Sequence, residues 1–294
     1  MKQLPLPFTV SIDTVINTAS VPHRSPFRYP GGKTWFVPRL RQWLHSANKP
    51  IRALIEPFAG GASIGLSAIF ERLVEHVVLV ELDAGVAAVW QTVLSPSGAA
   101  YLCEKIMSFE MIPSQVDTIL HQQPSELHDL AFQTILKNRV NRGGILAAGA
   151  GRVKQGENGR GLSSRWYPET LSRRIADICA HRHAITFIHG DGVAVLRAQR
   201  DEKELVFFID PPYTPDSNSP GKRLYTHHQL DHEALFSLTE TLRGDFLMTY
   251  NKHPNIEQHI EKARFQSRAI AMKNTHHAIQ SELVIGRDLS WLSD

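Results

Sequence analysis

Seven short runs rich in Val, Ile and Phe, several of them separated by stretches with helical spacing, constrain this chain more than any other feature. The runs lie at 53–58, 76–83, 184–191, 205–211, 245–251, 265–273 and 282–287, and such residues bounded by turn formers read as strands. Between them, 62–74, 84–94, 169–181 and 228–243 read as helices, with Leu171, Ile175 and Ile178 on one face of the third. Each parallel strand needs a crossover, so the alternation implies a mostly parallel sheet covered by helices. The last two runs lack the usual helix-length spacer and are expected to pair as a hairpin. The pattern breaks once, at 95–182, where helical segments precede a basic, glycine-rich stretch. Ser125 reads there as the N-cap of a helix lined by Leu127, Leu130, Ala131 and Ile135.

With 294 residues, the chain has room for one large α/β domain carrying an insertion. The expected organisation is an N-terminal arm over 1–25, a catalytic domain over 26–94 and 183–294, and an inserted domain over 95–182. No apolar run nears the roughly 18 residues of a membrane span, and Pro5, Pro7, Asp13 and Pro22 break up the N-terminal stretch. Membrane and secreted readings are therefore disfavoured. Two distant cysteines, Cys103 and Cys179, give neither a disulfide framework nor a four-cysteine zinc site. The fifteen histidines match no metal-binding spacing. The expectation is a reducing, cytoplasmic setting with no metal and no membrane partner.

Charge is concentrated. From Lys137 to Arg174 there are nine basic and two acidic residues, a net of +7, which leaves −4 for the rest of a chain whose total is +3. Glycines interleave these cations, so backbone and side chains can both approach a polyanion, the footprint of a nucleic-acid contact. Arg142, Arg152, Lys154, Arg160 and Arg165 are the candidate phosphate and base contacts, with Arg139 beside them.

Glu56-Pro57-Phe58-Ala59-Gly60-Gly61-Ala62 follows a strand and opens a helix, where small residues permit a tight turn and N–H groups face a ligand. Twenty residues after Gly61, Glu81 ends the next strand, placed to accept ribose hydroxyls. NAD-dependent dehydrogenases and S-adenosylmethionine (SAM) enzymes share this arrangement. Gly31-Gly32-Lys33-Thr34 is not a phosphate-binding P-loop, because Phe27 stands where that motif needs its first glycine.

Asp210-Pro211-Pro212-Tyr213 ends the apolar run 205–209, at the strand edge where ligands of open α/β sheets collect. Two prolines remove two N–H donors and leave carbonyl acceptors beside a carboxylate and an aromatic ring. The cluster suits an exocyclic amino group on a planar base: Asp210 and the Pro211 carbonyl accept its hydrogens while Tyr213 stacks on the ring.

Phe27-Arg28-Tyr29-Pro30-Gly31-Gly32-Lys33, Glu56 to Gly61 and Asp210 to Tyr213 stand in the order seen in Dam-like DNA adenine-N6 methyltransferases, and the chain resembles that family along most of its length. Glu81-Leu82-Asp83, Gly190-Asp191, Tyr225 and Asp231-His232-Glu233 add to the likeness. The resemblance implies a Rossmann-like SAM-dependent methyltransferase fold: a seven-stranded mixed sheet flanked by helices, its mostly helical insertion serving as the target-recognition domain. It implies SAM as cofactor and double-stranded DNA as partner, with a companion restriction endonuclease as an optional one. Tyr29, Lys33, Phe58, Gly60, Glu81, Asp191 and Asp210 become cofactor contacts, and Asp210, Pro211, Pro212 and Tyr213 the catalytic tetrapeptide. The stretch after Tyr213, with Ser217, Ser219, Pro220 and Gly221, becomes a candidate cover for the target base.

Two departures stand out. Ala62 replaces a glycine the family often has, a change expected to be tolerated at a helix start. Asn138-Arg139 leads into Asn141-Arg142-Gly143-Gly144-Ile145 instead of the family's usual recognition pattern, so a GATC target does not carry over. Transfer to cytosine N4 or to RNA, a NAD-type oxidoreductase, and a non-enzymatic DNA-binding module are the rival readings.

Overall fold

The computed structural model describes residues 21–28, 32–47, 49–147, 149–154, 156, 159–212, 230–273 and 279–292. Seven strands, β1 (Ala53–Glu56), β2 (Val77–Glu81), β3 (Ile185–His189), β4 (Leu205–Ile209), β5 (Asp245–Asn251), β6 (Gln266–Lys273) and β7 (Ile279–Gly286), form one sheet in the order β3-β2-β1-β4-β5-β7-β6. Strands β1 to β5 run parallel, while β7 is antiparallel to both β5 and β6. The expected hairpin is present, with its second strand inserted between β5 and β6. This is the Rossmann-like, seven-stranded mixed sheet flanked by helices that the alternation and the resemblance imply.

Alternation along β4 shows how both faces are covered. Leu205, Phe207 and Ile209 pack on one side with Leu235 and Phe236 of α9 (His232–Glu240) and Ile256 and Ile260 of α10 (Pro254–Ala263). Val206 and Phe208 point to the other, where Phe36, Leu54, Ile64 and Leu79 belong to the same core. All five β4 side chains are buried, which is why the strand reads as an unbroken apolar run instead of alternating with polar residues.

Helices α1 (Val37–Ser46), α2 (Ser63–Phe70) and α3 (Ala84–Val93) lie on the Val206 side of the sheet. The stretch between α3 and β3 supplies α4 (Pro96–Ser108), α5 (Pro113–His121), α6 (Leu127–Val140) and α7 (Pro168–Ala180). Its Leu102, Ile106, Phe132, Ile135 and Ile175 are fully or almost fully buried in the same continuous core as Leu54 and Leu79. A short helix, α8 (Gly192–Ala198), follows β3 on the opposite face. The cap of α6 differs from the expected one: Glu126, not Ser125, is its N-cap, without a side-chain hydrogen bond. Packing of Ala131 and Ile135, both 0% exposed, fixes this helix in place of a cap. Among the described residues, no helix is long and apolar enough to cross a membrane.

Candidate active site

The strand order reverses between β1 and β4, since β2 and β3 extend from one and β5 from the other. Their carboxyl ends therefore flank the crevice where ligands of open α/β sheets bind. Ile55 of β1 pairs with Phe207 of β4, so Glu56 to Gly61 and Asp210 to Pro212 emerge side by side. The two strongest sequence motifs meet at this edge.

Lys33 lies in a short 3₁₀ turn (Lys33–Phe36) leading into α1, and its backbone N–H donates to Ser63 Oγ at 3.1 Å. The side chain is only 4% exposed. Its Nζ donates to Asp210 Oδ2 at 2.8 Å and to Oε1 of Glu282, the first β7 residue paired with β5, at 3.0 Å. Thr249 Oγ1 of β5 donates to the other Asp210 oxygen at 2.7 Å. Asp210 is thus fixed from two sides. Pro211 is buried and Pro212 half-buried, with no N–H between them to compete for those acceptors.

Glu56 is buried beneath this cluster. Its Oε2 accepts from Gly65 N at 2.9 Å, but burial, aided by the charge of Asp210, pushes its carboxyl up to about 8. It is a neutral acid at pH 7. Burial, followed by the Asp210 charge, also raises the Tyr250 hydroxyl well above its usual value.

Glu81 is the second anchor. Its Oε2 accepts from Gly60 N at 3.0 Å, and its Oε1 from Leu82 N at 2.8 Å and Asp83 N at 2.9 Å. Gly60 is in turn held through its carbonyl by Trp90 Nε1 at 3.0 Å. Gly60 and Ala62 both take left-handed conformations, at φ 47° and φ 50°. Ala62 is the N-cap of α2, at the helix start as expected, although this φ favours glycine and an alanine there costs about 1 kcal/mol. Phe58 is half-buried against the core beneath the turn. Asp191 is exposed and caps α8 through Val193 N at 2.9 Å. The next residue, Gly192, lies so close to Pro57 that a Cβ would meet the Pro57 carbonyl oxygen at 1.8 Å, which brings the Asp191 turn beside the Glu56-Pro57 segment.

The structure thus joins Lys33 to Asp210 and Gly60 to Glu81 along one sheet edge. Tyr29, Tyr213, Tyr225 and the stretch from Ser217 to Gly221 lie outside the described residues. Sequence reasoning missed Glu282, Thr249 and Glu56 as members of the site. A lone acid opening the apolar run 282–287 was the available signal for Glu282, because an acid in a buried strand needs a partner; Thr249 carries no signal beyond ordinary strand preference.

The candidate nucleic-acid residues divide. Arg142, Lys154 and Arg160 are exposed, and Arg165 is half-buried. Arg152 is half-buried and ion-paired with Asp117. Arg139 departs from expectation: it is 5% exposed and donates to the Pro26 carbonyl at 2.6 Å, so it holds the chain entering the site instead of facing outward toward a base edge. A cavity of about 610 Å³ lined by Leu44, Ile51, Ile69, Arg72 and His181 lies at the amino edge of the sheet, away from this cluster.

No protein-family profile matches the chain, and no curated protein matches it in sequence. Solved structures of similar shape include the rRNA methyltransferase AviRa from Streptomyces viridochromogenes, 14% identical over 92% of this chain and 93% of that one, with a TM-score of 0.43. A SAM-dependent methyltransferase from Agrobacterium tumefaciens is 10% identical over 86% and 61%, with a TM-score of 0.40. Spermidine synthase from Thermotoga maritima is 13% identical over 86% and 58%, with a TM-score of 0.39.

Proposed function

We propose that the chain is a SAM-dependent methyltransferase acting on the N6 amino group of adenine in DNA. One observation carries the reading: an acceptor-rich Asp-Pro-Pro segment, locked by Lys33 and Thr249, stands beside a tight turn tied to Glu81 at the strand-order switch of the sheet.

The residues fit the cofactor. Three backbone N–H groups orient Glu81 before any ligand arrives, leaving one acceptor site, on Oε2, for a ribose hydroxyl. Acidic side chains along the edge favour a cation, and no arginine cradle of the kind that holds dinucleotide phosphates enters the described cluster. When bound, SAM supplies an electrophilic methyl group on a cationic sulfonium.

The protein orients the amine. An adenine flipped from the duplex, at a cost of a few kcal/mol, presents two N6 hydrogens to the Asp210 carboxylate and the Pro211 carbonyl. Accepting both draws the nitrogen lone pair out of conjugation with the ring and directs it along the crevice. Lys33 and Thr249 keep Asp210 from turning away, and Asp210 is placed to accept the proton the amine releases. Tyr213, next in sequence, is the candidate stacking ring, and the exposed cations Arg142, Lys154 and Arg160 are candidate phosphate contacts.

The test is incubation of purified protein with isotopically labelled SAM and DNA, followed by mass spectrometry of the digested nucleosides. Label in N6-methyladenine supports the proposal. Label confined to N4-methylcytosine or to RNA, or a protein that binds NAD but not SAM, overturns it.

A further inference from the structure

The segment 21–28 lies against the stretch between α3 and β3, and cations and an amide make most of its ties. Asn138 clasps it from both sides, its Oδ1 accepting from Arg28 N at 2.9 Å while its Nδ2 donates to the Arg28 carbonyl at 3.1 Å. Arg139 Nη2 donates to the Pro26 carbonyl at 2.6 Å, and Arg174 Nη1 to the Ser25 carbonyl at 3.3 Å. Gly144 presses on the same strand so closely that a Cβ there would meet the Arg28 carbonyl oxygen at 1.8 Å.

These contacts gather positive charge, and for Arg139 and Arg174 the described residues supply no counter-charge. The Arg139 guanidinium is buried, and its Nε has no hydrogen-bond partner among the described residues. No ion pair ties Arg139 or Arg174 to a described carboxylate; Glu71, which reaches Arg24 of the same segment at 3.8 Å, is held by Arg41 at 2.6 Å. Burial, then Arg174 and Arg28, push both His23 and Arg139 below their usual values, and burial, then Arg173 and Arg28, do the same to Arg174. Like charges collected this way cost free energy until an anion joins them. His23 and Arg173 are exposed and Arg174 is half-exposed, so an anion can reach the group from solvent.

We propose that His23 and Arg174, with Arg139 beneath them, form a seat for a backbone phosphate of the substrate nucleic acid. The inference rests on the methyltransferase reading and names a phosphate contact outside the glycine-rich loop. Ser25, which Arg174 holds, stands eight positions before Lys33, so the seat lies within about 29 Å of the Lys33 backbone along the chain. Phosphates recur about every 3.4 Å along one strand of a duplex. A strand that delivers a base to Asp210 therefore has phosphates in range of Arg174.

Affinity for a fluorescent DNA duplex, read by anisotropy across a KCl series, tests the seat, because the slope of log K against log salt is about −0.9 per phosphate neutralised. Arg174→Gln is expected to make that slope shallower by about 0.9, and Arg174→Lys to restore it. SAM binding by calorimetry is expected to be unchanged in both variants. Arg200→Gln, at an exposed position paired with Asp201, serves as the control and is expected to keep the wild-type slope. A wild-type slope in Arg174→Gln, with DNA methylation by the wild-type protein intact, overturns the seat alone. Failure of the wild-type protein to bind DNA overturns the seat together with the nucleic-acid reading.

Discussion

Lys33 Nζ lies 3.0 Å from Glu282 Oε1, with both side chains at most 4% exposed. The bond joins the chain entering α1 to a strand nearly 250 residues later in sequence, and Asp210 takes its place on the same ammonium. Removing one member of a buried pair strands the other, at a cost of about 3–5 kcal/mol. Glu282→Ala is expected to fall at the low end of that range. Lys33→Met is expected to cost more, because it takes the ammonium away from two carboxylates, whereas Glu282→Ala leaves Lys33 paired with Asp210. Urea unfolding of the two variants gives the comparison, and the reverse order counts against the arrangement.

Asp210→Ala is expected to lower methyl transfer by about 10²–10³-fold, the scale on which a single oriented polar contact to a reacting group is lost. DNA affinity is expected to change less than threefold. Turnover at the wild-type rate would remove Asp210 from the mechanism.

Glu56 sets a pH dependence of known sign. Its folded carboxyl titrates at about 8, above the usual carboxylate value of 4.5, so between these pH values the folded protein holds a proton that the unfolded chain has lost. Stability contributed by neutral Glu56 is complete below about pH 4.5 and declines as pH rises toward 8, by on the order of 1 kcal/mol per unit. Glu56→Gln keeps an acceptor for Gly65 N and removes the titration. Thermal unfolding from pH 5 to 9 should therefore fall less steeply in the variant than in the wild type; parallel curves would contradict the neutral acid.

Ala62 offers a backbone test. Glycine at this left-handed position relieves about 1 kcal/mol of strain and loses a buried methyl worth about 0.8 kcal/mol. Ala62→Gly is therefore expected to be nearly neutral in chemical denaturation. Ala62→Val, adding a β-branched side chain where alanine is 1% exposed, is expected to cost at least about 2 kcal/mol.

Much of the sheet was legible because its strands announce themselves. All five β4 side chains are buried, and an apolar run five residues long between charged and proline-rich flanks has few other uses. The motifs at the ends of β1 and β4 were legible for the same reason: each starts where an apolar run stops. What stayed hidden was pairing across distance. Nothing local distinguishes Thr249 from any strand threonine, and the Lys33–Glu282 bond depends on where β7 inserts, which spacing does not encode. Arg139 illustrates the opposite error. Its place in a basic stretch suggested solvent and nucleic acid, yet helix periodicity puts it on the α6 face that meets the entering chain, where a carbonyl replaces water.

The reversed direction of β7 decides which of its ends can take part in chemistry. Glu282, the first β7 residue to pair with β5, sits opposite Asn251, the last residue of β5, so the beginning of the paired stretch arrives level with the finish of its neighbour. Had this paired stretch run with the others, the same glutamate would have stood opposite Leu247, about 13 Å back along the sheet from that level. One backward insertion thus lets a C-terminal segment complete a cluster that the parallel strands alone would leave short of an acid.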